Sequence, residues 1–301
     1  MRIAILSRNK SLYSTNRLVR TAKKAGHRVN VIDPLKCNLL LGRDRHKVFY
    51  NSSTVDKFNI AITRIGASIT DYGLAVVNQF DMMSIPVIND AASIARSRDK
   101  FRCLQLLNKH NIKLPRTIMV RSPENLATAI ETIGGPPVII KLLQGTHGIG
   151  VILAESIETI ESTIDTLWKL GQSIMIQEFV KESRGEDIRA FVIGGEIVAA
   201  MRRKAKIGEF RTNIHRGGHA SAIRLPEEFK KTAIKSAQVM GLKIAGVDML
   251  NSQNGPMVME VNSTPGFEVL EKSTGINIAK KIIEFAVNYA KNYSVEGPGI
   301  T

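Results

Sequence analysis

Residues 245–262 read AGVDMLNSQNGPMVMEVN, and this stretch decides the fold. Two apolar runs, AGVDML (245–250) and PMVMEVN (256–262), carry acids or amides and flank the turn-rich NSQNG. That pattern predicts an antiparallel hairpin. Alternate strand residues share a face, so Glu260 and Asn262 point the same way, and Asp248 on the partner strand can reach that face. Two carboxylates and an amide oxygen converging on one spot repel each other unless a cation sits between them. Oxygen ligands with few fixed protein contacts suit magnesium, which keeps waters and shares phosphate oxygens. The pattern alone leaves a second reading open, a solvated hairpin with its polar residues outward.

Outward toward the N-terminus, strands IRAFVI and EIVAAMRR and helices near 226–240 and 275–291 complete a unit of roughly 187–290 around the hairpin. Before it lies a small α/β layer: RTIMV, the helix SPENLATAIETI, PPVIIKLL, a glycine-rich turn, a helix through Trp168 and SIMIQEFV. In KLLQGTHGIGV (141–151), Gly145, Gly148 and Gly150 allow positive φ and let backbone amides approach a phosphate. Lys141, four residues before Gly145, would place a point charge on the same phosphates. An ordinary β-turn explains the glycines equally well, and no G-x-x-x-x-G-K-[ST] occurs in the chain.

At the start, RIAIL (2–6), a helix closed by Gly26, and RVNVI (28–32) form a βαβ opening that predicts a parallel sheet. DKFNIAITRIG and SIPVIND read as further strands. The loop after the first strand, SRNKSLYS, lacks G-x-G-x-x-G, so the Rossmann-like pattern carries no nicotinamide fingerprint. A single helix is expected from Asp90 or Ala91 to His110, with Ile94, Phe101, Leu104 and Leu107 as its buried stripe. The tail NYSVEGPGIT is expected to fray.

Composition narrows the class. The 301 residues are 44% apolar and 23% charged, ordinary for a globular chain of two or three compact units. No apolar run approaches the ~20 residues of a membrane span. The first strand is too short an apolar run for a secretory segment, and the two cysteines, Cys37 and Cys103, lack metal-like spacing, so a reducing cytoplasm is expected. The net charge is +15, and residues 1–100 hold 17 basic against 7 acidic side chains. Such a surface attracts anions without choosing among nucleotides, nucleic acid and acidic peptides. Aromatics are 5% of residues and no RNP-like or helix-turn-helix pattern occurs, which disfavours a nucleic-acid module.

Taken in order, Lys141, the glycine loop, QEFV (177–180) and D…E-x-N-x-x-P-G (248–266) resemble the ATP-grasp enzymes. LSRNKSLYS, TRIGASIT, IARSRDKFRCLQLL, FRTNIHRGG and MEVNSTPGFEVLEKSTGI extend the resemblance over nearly the full chain, to the RimK-type ligases. The resemblance implies an α/β (α+β) ATP-grasp fold. Its expected parts are an N-terminal Rossmann-like pre-ATP-grasp domain (1–97), a small subdomain with a glycine lid (98–180), a metal-bearing subdomain (181–291) and a flexible tail (292–301). It also implies ATP and two magnesium ions, with manganese able to substitute. Lys100 and Lys141 would hold phosphates under the lid formed by Gly145, Gly148 and Gly150. Gln177, Glu178 and Phe179 would meet adenine, largely through backbone groups, and Asp187 the ribose. Arg211, Thr212 and Asn213 would lie beside the phosphates, with Arg211 and Lys141 catalytic. Asp248, Glu260 and Asn262 would bind metal. His147 in the lid is a departure that would at most tune lid closure.

The implied reaction adds L-glutamate to the C-terminus of the sixth small-subunit ribosomal protein through an acyl phosphate, with poly-glutamate as a further product. Arg202, Arg203 and Arg216 are candidates to attract the acidic tail and free glutamate. A homo-oligomer, such as a tetramer, is implied, with no nucleic acid required and no membrane. Rival readings are an ATP-grasp ligase with another amino-acid, peptide or carrier-protein acceptor, a nucleic-acid-binding module and a nicotinamide oxidoreductase.

Overall fold

The computed structural model describes residues 1–43, 46–55, 57–121, 126–143, 150–183, 185–206, 208–212 and 217–293. The chain opens with β1 (Arg2–Leu6), α1 (Tyr13–Lys24) and β2 (Arg28–Ile32). A three-stranded antiparallel sheet follows, β3 (Cys37–Leu40), β4 (Lys47–Tyr50) and β5 (Ser53–Val55), which the sequence reading missed. Then come β6 (Ile60–Thr63), α2 (Thr70–Met82) and β7 (Val87–Ile88). Strands β2-β1-β6-β7 form an all-parallel sheet, as the βαβ pattern requires. Both faces are covered, so β1 is apolar on both sides. Ile3 and Ile5 pack with Leu18 of α1, while Ala4 and Leu6 pack with Val76, Val77 and Phe80 of α2.

The expected helix over 90–110 is two helices, α3 (Ala91–Arg98) and α4 (Lys100–Lys109). Asp99 between them is extended (φ −77°, ψ 99°), and its carboxylate accepts the Arg102 N–H as an N-cap. The apolar spacing runs through the break, but the cap residue ends one helix and starts the next. Lys100 becomes a first-turn residue.

The next layer comprises β8 (Thr117–Val120), α5 (Leu126–Thr132), β9 (Val138–Leu142), β10 (Val151–Ala154), α6 (Ile157–Lys169) and β11 (Ile174–Glu178). Its antiparallel sheet, ordered β10-β9-β11-β8, packs on α5 and α6 through Ile130, Ile140, Ile160, Ile164 and Ile176. The last sheet is β14-β13-β12-β15-β16, built from β12 (Glu186–Ile193), β13 (Glu196–Lys204), β14 (His219–Ala222), β15 (Ile244–Ser252) and β16 (Gly255–Asn262). Helix α7 (Glu227–Met240) lies between β14 and β15 in sequence and covers one face with α4, through Phe229, Ala233, Leu107 and Val247. The other face, with Phe191 and Met201, meets α8 (Glu268–Thr274) and α9 (Ile278–Asn292). Helix α9 also packs on the first sheet, because Ile282, Ile283 and Ala286 share a core with Ile3 and Ile5. One apolar cluster therefore joins the two ends of the chain. No helix among the described residues is long and apolar enough to cross a membrane.

Candidate functional site

The hairpin predicted at 245–262 is β15–β16, with Asp248 directly opposite Glu260. A bulge at the Asp248/Met249 step leaves Met259 as the extra residue, and such a bulge re-aims neighbouring side chains. Asn262 donates Nδ2 to Glu260 Oε1 at 3.0 Å, so all three predicted metal ligands share one face. Gly246, paired with Asn262, has no room for a side chain: a Cβ there would lie 2.8 Å from Pro265 Cβ. The three ligands offer only oxygens once the Asn262 nitrogen is committed to Glu260, and that donor set fits a hard divalent cation. Among the described residues, no group of three or more His, Cys, Asp or Glu side chains is arranged to hold a metal. Any metal here would therefore lean on the asparagine, on water and on a ligand's own oxygens.

Asp248 is not a free carboxylate. Arg189 on β12 grips it through Nε at 2.6 Å and Nη2 at 2.5 Å, and Arg203 on β13 adds Nη2 at 2.9 Å. Burial alone would raise its pKa, but the charges of Arg189 and then Arg203 hold it well below the usual carboxylate range. Arg203 also grips Asp187 at 2.6 and 2.8 Å, and the Thr212 hydroxyl donates to the same carboxylate. Two aspartates and two arginines thus alternate across three strands. Arg189 escaped the sequence reading, although its two-residue spacing from Asp187 places both on one strand face.

Lys141 on β9 donates to Gln177 Oε1 at 2.6 Å, and Gln177 in turn donates to Thr117 Oγ1 at 2.8 Å. Lys100 reaches the Leu142 carbonyl at 2.9 Å. Neither ammonium has a carboxylate in hydrogen-bonding range among the described residues. Burial pushes Lys141 down to about 8, partly offset by the charge of Glu260, and burial lowers Lys100 in the same way. Two partly desolvated cations with neutral partners, both within the field of Glu260, are a pair suited to a polyanion. Gly150, at the end of the glycine run, has φ 75°, and a Cβ there would meet Leu142 Cδ1 at 2.6 Å. Gly145, Gly148, His147, Asn213 and Arg216 lie outside the described residues.

The remaining predicted residues are placed as follows. Glu178 ends β11 with its carboxylate on the Arg116 backbone N–H (2.9 Å) and Nε (2.6 Å), and its own N–H donates to the Arg116 carbonyl at 2.8 Å. Phe179 is half-buried beside it. Arg211 pairs with Glu209 (Nη2 at 2.8 Å) and stacks over Phe210. Arg202 is exposed next to Glu186, whereas Arg203 lies under the two aspartates, as alternation along β13 requires. Arg202 and Arg203 are therefore not part of one basic patch.

Residues 1–94 match the family model described as RimK PreATP-grasp domain, and residues 97–286 that of the RimK-like ATP-grasp domain. A protein of Hydrogenovibrio crunogenus named probable alpha-L-glutamate ligase is 49% identical over 299 residues, covering 99% of each chain. The ATP-grasp ligase PsnB, solved with a minimal precursor, magnesium and ADP, superposes with a TM-score of 0.76 at 18% identity, over 96% of this chain and 98% of that one. D-alanine–D-alanine ligase of Bacillus anthracis, solved with ATP, gives 0.70 at 19% identity over 97% of both chains.

Proposed function

The chain belongs to the RimK-like ATP-grasp family and is an ATP- and magnesium-dependent acid–amino-acid ligase, and on that premise we propose that it adds L-glutamate to the C-terminus of the sixth small-subunit ribosomal protein. The observation that carries the reading is the half-buried pair Lys100 and Lys141, held by neutral acceptors within the field of Glu260. Partly burying two cations with no carboxylate in hydrogen-bonding range is costly, and a nucleotide's phosphates supply the missing partners. The family name of relatives about half identical in sequence supports glutamate as the amino acid joined.

In the proposed reaction the acceptor carboxylate attacks the γ-phosphorus of ATP, releasing ADP and forming an acyl phosphate. The glutamate amine attacks the acyl carbon, and inorganic phosphate leaves with the bridging oxygen. No side-chain nucleophile is needed, so catalysis is positioning and charge neutralisation. Lys100 and Lys141 hold phosphate oxygens, with Arg211, once released from Glu209, and Thr212 and Asn213 beside them. The Gln177–Phe179 backbone takes adenine and Asp187 the ribose. Gly145, Gly148 and Gly150 close over the phosphates and exclude water, which would otherwise hydrolyse the acyl phosphate. Asp248, Glu260 and Asn262 would hold magnesium, two ions in this reading with manganese as a substitute, and the metal supplies charge neutralisation on the phosphates.

The test is intact-mass analysis of the ribosomal protein after incubation with enzyme, ATP, magnesium and glutamate. Glutamate-residue increments, absent with Glu260→Ala, establish donor and acceptor together. Growth of free glutamate chains alone assigns polymerisation, and turnover only with another acceptor discards the ribosomal substrate.

A further inference from the structure

Strand β16 ends at Asn262, opposite Gly246, and the chain bends at Ser263. Strand β15 starts two residues before Gly246, at Ile244, where β16 offers it no partner. Its place is taken by a single side chain from the first sheet. Asn89, the residue after β7, is 2% exposed and lays its carboxamide across the open end of the hairpin. Its Oδ1 accepts the N–H groups of Lys243 at 2.8 Å and Ile244 at 3.0 Å. Its Nδ2 donates to the carbonyls of Ile244 at 2.7 Å and Ser263 at 2.9 Å.

A carboxamide has two donors and two acceptor lone pairs, and here all four are used. Two N–H groups and two carbonyls around it also fix which of its terminal atoms is oxygen. By accepting from and donating to Ile244, the amide does what a residue of a further antiparallel strand would do. It also ties down Ser263, the residue directly after Asn262. Asn89 is itself held on both sides. Its N–H donates to Thr63 Oγ1 at 2.8 Å, and that hydroxyl donates to the Ile88 carbonyl at 2.9 Å. Asp90, the following residue, caps α3 by accepting the Ser93 N–H at 2.8 Å. Strand ends open locally at low cost unless something holds them. The end of β16 carries Glu260 and Asn262, so the place where this hairpin would open is the place that offers oxygens to a metal.

We propose that Asn89 is a positioning residue for the metal site: by bridging the open end of β15–β16 it sets Glu260 and Asn262 against Asp248. The inference rests on the reading of those three residues as magnesium ligands and deepens it. Groups that orient metal ligands without touching the metal govern affinity and activity nearly as strongly as the ligands do. The bridge also makes the first sheet part of the site's support, although no residue of that sheet is a ligand. An aspartate of the same shape keeps the acceptor but turns an oxygen toward the Ile244 and Ser263 carbonyls, which repel it. A serine is too short to span both strand ends.

The experiment compares Asn89→Asp and Asn89→Ser with wild type, as full chains, by manganese titration in the presence of ADP, followed by electron paramagnetic resonance. Turnover at saturating magnesium and the unfolding midpoint are measured alongside, and the serine variant serves if the buried aspartate prevents folding. Val77→Ala is the stability control, because its core cluster contains no residue of the hairpin. The expected result is about 10–100-fold weaker manganese binding and a comparable fall in kcat, with metal-free nucleotide affinity unchanged. Val77→Ala should lower the midpoint and leave manganese affinity at the wild-type value. A folded Asn89 variant with wild-type manganese affinity and kcat overturns the proposal. So does an equal loss in Val77→Ala, which would make the effect one of stability alone. Wild type that binds no manganese removes the metal reading and this inference together. Failure of the ligase reading is seen separately, as absent glutamate increments in the mass assay with manganese binding intact.

Discussion

Half-buried Lys141 and buried Asp248 are charges of opposite sign handled in opposite ways. Asp248 carries two guanidiniums, while Lys141 carries one neutral amide. Asp248→Asn therefore strands Arg189, and the expected loss is about 3–5 kcal/mol of stability along with activity. Glu260→Gln, at a half-exposed side chain, should abolish turnover with little change in the unfolding midpoint. Paired denaturation and turnover measurements check both. For Lys141→Met the expected outcome is lost ATP affinity with an unchanged or raised Tm, since a desolvated charge disappears. The folded pKa of Lys141, about 8, lies below its ordinary 10.5. From pH 8 to 10.5 the unfolded chain then holds more protons, so stability at this residue rises with pH. The Tm gap between Lys141→Met and wild type should accordingly narrow from pH 7 to 9.5, and a constant gap would show that Lys141 is not desolvated.

At the scale of elements, the hairpin was legible because its polar residues sit two apart at strand ends, a pattern any strand must resolve onto one face. Legibility stopped where geometry depends on tertiary partners. The break at Asp99 was hidden under a continuous apolar stripe, and only the aspartate's capping role reveals it. Strands β3 to β5 are only three or four residues long, too short to show a clear alternation. The guanidinium clamp on Asp248 could not be read without the order β13-β12-β15, which brings Arg189 and Arg203 to one carboxylate. Gly246 tests the hairpin as an element. Gly246→Ala drives a Cβ into Pro265 and toward Asn262, so about 1–3 kcal/mol of destabilisation is expected, with a fall in kcat larger than that in nucleotide affinity. Intact kcat in a folded Gly246→Ala would mean that the end of β16 does not position the site.

Over the whole molecule, the charge of +15 is the property most directly tied to an acidic substrate. The basic excess is concentrated in the first 100 residues, and Lys100 and Lys141 add two cations held by neutral acceptors. An acceptor that grows more negative with each added glutamate should bind less well as salt rises. Its KM is expected to climb steeply between 50 and 300 mM salt (roughly two Debye-length regimes), while a small neutral substrate surrogate responds weakly. The joining of α9 to the first sheet adds that the first and last elements share one core. The most direct measurement of the chemistry is oxygen transfer. An acceptor peptide labelled with ¹⁸O in its C-terminal carboxylate is turned over with enzyme, ATP, magnesium and glutamate, and the released phosphate is weighed. Carboxylate activation by phosphoryl transfer predicts one ¹⁸O in each phosphate released with ADP. Unlabelled phosphate formed alongside new peptide bonds would contradict it.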